Sequence, residues 1–201
     1  MSPPARTPDA IHRERLHQLA AFLRESEQIL ADFDDWREEH SDPDGWPLDD
    51  AEHSRRAVKR DADTWRSFNR VRSFAKELLA TAEVQVQQLS PSHLQSRWPW
   101  QLGVLDYALK QLGTLQLEWF EARDALPPSA RPGSFAYDDA LAERNEEAWS
   151  YLDDWSSHGA VLLEIQAAAQ ELPPRSPALA SARSHARPAA PAAAPSSAAR
   201  R

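Results

Sequence analysis

The sequence predicts an all-α protein, an up-down-up-down antiparallel four-helix bundle with long helices and a disordered C-terminal tail. Three observations predict it. Apolar residues recur at helical spacing through four separate segments. Glycine, with five copies in 201 residues, is almost absent from those segments, and no alternating run reads as a strand. Short links make successive helices antiparallel neighbours. The bundle is expected over residues 8–172, between a disordered N-terminus at 1–7 and a disordered Ala/Pro/Arg-rich tail at 173–201.

The first segment, roughly residues 8–40, repeats Leu16, Leu23 and Leu30 every seven residues, with Leu19 and Phe33 in one neighbouring column and Phe22, Ile29 and Trp36 in another. Three adjacent columns make the broad apolar face that a bundle helix needs. Thr7 before Pro8 supplies a cap and a first helical residue. The second segment, about Pro47 to Leu89, follows Trp65, Phe68, Ala75, Leu79, Ala82, Val86 and Leu89. Unbroken, it would be about 60 Å long at 1.5 Å per residue. The third starts between Ser90 and Pro99, follows Leu102, Leu105, Leu109, Leu112 and Trp119, and stops at "LPPSARPGS". The fourth, Ser134 to Leu172, uses Leu141, Ala148, Leu152, Trp155, Leu162 and Ile165.

At 41% apolar content the chain supports one core rather than two. The absence of cysteine excludes disulfides, thiolate zinc sites and cysteine nucleophiles. No stretch reaches the roughly 18 apolar residues of a membrane span, and the N-terminus has neither a charged leader nor an apolar run, so a cytoplasmic protein without a membrane partner is expected. Residues 173–201 contain five Arg and no acid; the remainder, with 18 basic and 31 acidic side chains, carries −13. Such a body is a poor general binder of nucleic acid, which is therefore disfavoured as a partner.

The stretch "FDDWREEHSDPDGWPLDDAEH", residues 33–53, sets nine carboxylates and two histidines against one arginine. Within it "DPDG" is similar to the core of an EF-hand loop. With Gly45 at the sixth position, however, His40 and Ala51 occupy the two end ligand positions, so the segment reads as a tight turn. Asp34, Asp35 and Glu38 are similar to the aspartate-rich motif of class I terpene synthases, but the second ligand set is incomplete, with Trp149 where that family has a hydroxyl. Glu118 and Glu121 with Glu143 and Glu146 resemble the paired acidic motifs of all-α nucleotide pyrophosphatases. That resemblance implies two facing carboxylate pairs holding Mg²⁺ against a triphosphate, although the last ligand is Glu where the family has Asp.

Directly after the acidic turn, residues 55–76 carry eight basic side chains against Asp61 and Asp63. A hairpin turning near Pro43 to Trp46 places Asp34 and Asp35 beside Arg55 and Arg56, giving the acids an intramolecular role. Arg66 and Arg70 remain as a possible phosphate or nucleic-acid contact. Eight Trp are unusual for this length. Trp46, Trp98 and Trp100 fall outside the core columns, at helix starts in "GWP" and "RWPW", where they either cap the bundle or anchor a partner. The expected function is that of a non-enzymatic bundle binding another protein or itself, with no cofactor. The alternatives are a Mg-dependent nucleotide pyrophosphatase-like hydrolase and a nucleic-acid-associated regulator using the basic face of helix two.

Overall fold

Helix α1, Pro8–Glu39, begins where the sequence expects it: the Thr7 hydroxyl accepts the N–H of Ala10 at 3.3 Å, Pro8 fills the first turn, and Asp9 faces the helix N-terminus. The computed structural model describes residues 7–171 of the chain. The segments expected to be disordered, at 173–201 and at the N-terminus before Thr7, lie outside that range. After α1 come α2 (Asp50–Arg72), α3 (Ala75–Gln88), a 3₁₀ turn (Pro91–His93), α4 (Trp98–Ala125), α5 (Phe135–His158) and α6 (Ala160–Gln170). The described residues are all-helical; the only extended pairing among them is one isolated bridge, Ser41 to Pro47. No helix among them is long and apolar enough to cross a membrane.

Six helices replace the four expected, because two of the segments are interrupted. The second is broken at Ser73 and Phe74, where the N–H of Phe74 turns to the carbonyl of Val71 and the Phe74 ring lies under the Arg15 guanidinium, 5.6 Å from its centroid. The buried column nevertheless runs on in phase, through Thr64, Phe68 and Val71 to Ala75, Leu78 and Ala82. The fourth segment is broken at Gly159. A Cβ there would stand 2.5 Å from the Trp155 carbonyl oxygen and 2.9 Å from Leu23 of α1, so only glycine admits α1 at this distance.

Contacts between side chains fix the directions. Phe22 meets Phe68 at 5.4 Å between centroids and Arg56 lies over Trp36 at 5.3 Å, so α1 and α2 are antiparallel. Tyr107 meets Tyr151, and Trp119 meets Tyr137, so α4 and α5 are antiparallel too. Arg60 stacks on Trp149, Phe68 packs on Trp155 at 5.2 Å and Gln85 bonds Gln166, which makes α2–α3 and α5–α6 two columns running in the same direction. These columns form the middle of the molecule, with α1 and α4 on either flank. Their two interruptions fall at the same level. The core, built from Phe22, Phe68, Leu105, Leu112, Leu152, Trp155 and Ile165, fills the space around the central columns.

Candidate functional site

The acidic turn is organised by its own backbone. One oxygen of Asp42 accepts the N–H groups of Asp44 and Trp46, each at 2.9 Å, and Asp49 caps α2 by accepting those of Ala51 and Glu52. Gly45, at φ +86°, closes the turn. The hairpin register is the expected one, but the ion pairs are not. Asp34 binds Arg37 on its own helix at 3.1 Å, while Arg55 and Arg56 both bind Glu52. Those hydrogen bonds, from Arg56 and then Arg55, hold Glu52 below the usual carboxylate range.

The basic stretch is equally occupied. Arg66 pairs with Asp63, and Arg70 crosses to Glu25 of α1 at 2.7 Å. Each candidate phosphate contact thus already has a carboxylate.

The four glutamates with pyrophosphatase spacing do not converge. Glu118 and Glu143 line one groove between α4 and α5, with Arg144 in the same groove. Glu146 instead lies close enough to Asp61 on α2 to add like-charge repulsion there. All four are exposed, and among the described residues no three acidic or histidine side chains are placed to hold a metal ion.

Charged groups inside the bundle are the feature the sequence does not advertise. Arg60 bonds the buried Asp61 at 2.7 Å while its guanidinium lies between Trp149, at 3.7 Å, and Phe33, at 4.6 Å. Arg144 lies over Trp65 at 4.0 Å and binds only neutral oxygens, those of Gln116 and Asn145. Burial and then the nearby Arg72 lower its pKa to about 10, which leaves it charged at neutral pH. Both arginines interrupt otherwise apolar helix faces, and the aromatic residues around them are the only hint in the sequence that they point inward.

The three candidate tryptophan anchors divide. Trp98 is 1% exposed and its indole N–H donates to Glu164 at 2.9 Å, so it packs inward and is not free to meet a partner. Trp100, 61% exposed, rests edge-on against His158; Trp46 is 71% exposed. Beside them the sequence reading misses Leu48, at 70%, and Phe135, at 85%. The signal was available for Phe135: Asp138 and Asp139 follow it at the positions that would share its helical face.

Glu164 supplies a pH test. Burial raises its pKa, but hydrogen bonds from Trp98 and Arg97 outweigh that, and the net shift is downward. A carboxylate lowered in the folded state contributes stability that is full above the unfolded value near 4.3 and is lost as pH falls through the folded one. Glu164→Gln is therefore expected to flatten the acid side of the stability profile, as measured by urea melts between about pH 2 and 6. An unchanged acid limb would show that the pair of donors does not hold Glu164.

No family model, curated protein or solved structure matches this chain.

Proposed function

We propose that this chain is a non-enzymatic helical-bundle protein that acts by binding another protein or a second copy of itself, as an adaptor, regulator or assembly component. On this reading its six helices act as four rods of alternating direction, a proposal that the antiparallel contacts of α1 with α2 and of α4 with α5 support. One placement carries the reading: among the described residues the three most exposed large apolar side chains, Phe135, Trp46 and Leu48, all belong to one end. Because α2 and α5 run in the same direction, the turn preceding α2 and the start of α5 face the same way. Asp42 and Gly45 fix the backbone around Trp46, so an aromatic anchor is presented with little ordering left to do on binding.

The charged residues support the same reading, since Arg66 and Arg70 each pair with a carboxylate and, among the described residues, no three acidic or histidine side chains gather to hold a metal ion. Trp98 leaves the set of anchors; Trp46 stays, joined by Leu48 and Phe135, with Trp100 exposed away from that end, beside His158.

Replacing Trp46, Leu48 and Phe135 together by Ser is expected to abolish capture of the native partner from cell extract. Unfolding free energy should change by only about 0.5 kcal/mol per site, because exposed side chains add little to folding. Undiminished capture by the folded triple variant would overturn this assignment. Mg²⁺-dependent triphosphate hydrolysis that Glu121→Gln removes would overturn the non-enzymatic reading itself.

A further inference from the structure

Helix α4 places two of the chain's five glycines in its interior, at Gly103 and Gly113. Glycine is the least favourable helix residue after proline. Unlike Gly159, neither is required by the fold, since a Cβ built at either position meets nothing within 4 Å. Between Trp98 and Leu117 the only charged side chains on this helix are Asp106 and Lys110, which pair with each other at 2.6 Å. Leu117 nonetheless stands 64% exposed. The outer face of α4 thus combines an exposed leucine, a self-neutralised charge pair and an unexplained cost in helix propensity.

The order of residues on that face supplies the explanation. Pro99, Gly103, Asp106, Lys110, Gly113 and Leu117 follow one another at alternating intervals of four and three, which aligns them along one side of the helix. The sequence of chemistries is a palindrome about the level of Ala108. Gly103 mirrors Gly113, Asp106 mirrors Lys110, and Pro99 mirrors Leu117. A two-fold symmetric contact brings residue i onto j and j onto i. On this face it sets small against small, acid against base and apolar against apolar.

We propose that the outer face of α4 is a self-association surface on which a second copy of this chain docks antiparallel, with the two-fold axis at the level of Ala108. The glycines let the two helix backbones approach closely, and each Asp106 meets the Lys110 of the other copy, so the two intrahelical pairs become a ring of four alternating charges. A second copy is the occupant because the face complements its own charges. The chain's net charge of −8 opposes association elsewhere, whereas this patch carries none. The surface rests on the reading that the chain works through protein contacts, but it is separate from the end that carries Trp46.

Sedimentation equilibrium of the full chain over a range of concentrations tests this. The parent should be a dimer. Gly103→Leu combined with Gly113→Leu should weaken association at least tenfold while melting no lower than the parent, because leucine is the better helix former. Asp106→Lys alone and Lys110→Asp alone should each become monomeric, one facing its copy with two bases and the other with two acids. Mixing these two variants should restore a dimer containing one of each. A monomeric parent, or a dimer indifferent to the glycine and charge changes, would overturn the α4 interface. Neither result touches the Trp46 end, whose partner capture is read separately; loss of that capture with an intact α4 dimer would be the opposite dissociation.

Discussion

Asp61→Ala is expected to lower unfolding free energy by about 3–5 kcal/mol, measured by urea denaturation. Asp61 is 3% exposed and accepts a hydrogen bond from Arg60 Nε at 2.8 Å, with the guanidinium Nη2 in ion-pair contact at 2.7 Å. With Trp149 and Phe33 on either side, the Arg60 side chain is only 16% exposed, and deleting its partner leaves a largely desolvated cation without compensation. Removing both charges, with Arg60→Met added, should recover much of the loss, since the stem still packs and no ion remains to be desolvated.

The pair can be costly to break without itself stabilising the fold. Burial raises the Asp61 pKa more than Arg60 lowers it. An acid raised in the folded state costs nothing below the ordinary value near 3.9, and its cost appears as pH rises through the folded value. Asp61 therefore opposes the trend set by Glu52 and Glu164, whose contributions disappear on acidification. If Asp61→Ala melts with the parent, Arg60 has escaped to solvent and the buried pair does not constrain α2 against α5.

Gly159→Val should destabilise by about 2–3 kcal/mol, the range of an overpacked core position. The new Cβ would enter the space of the Trp155 carbonyl and the Leu23 methyl group, so either α1 retreats or the α5–α6 junction changes its path. The neighbouring Ala160→Val, at an exposed site, should stay within about 0.5 kcal/mol of the parent. Equal melting of the two variants would mean that α1 does not rely on close approach at Gly159.

The helical class, the α1 cap and the α1–α2 register were legible because each depends on local chemistry: Thr7 with Pro8, the columns through Phe22 and Phe68, the turn residues around Gly45. The break at Ser73 and Phe74 was not. It keeps the buried column in phase, and periodicity detects only changes of phase. Partner choice among charges was also illegible, because an arginine finds the nearest carboxylate: Arg55 and Arg56 turn to Glu52 on their own helix and leave Asp34 to Arg37. Trp98 and Trp100 looked equivalent in "RWPW", yet helix rotation sends one inward and the other out.

The two interruptions of the central columns lie side by side, and that makes them more than separate irregularities. A plane through Phe74 and Gly159 divides the molecule into one half containing α2 and α5, with their half-buried arginines, and another containing α3 and α6, whose buried residues are all apolar. Only α1 runs well to both sides of it; α4 begins there, with Trp100 against His158. Mechanically this is a hinge with one splint: the halves can flex about the line joining the breaks only by bending the continuous helix α1. A load at the Trp46 end would pass the breaks chiefly through α1, the one helix that is continuous there.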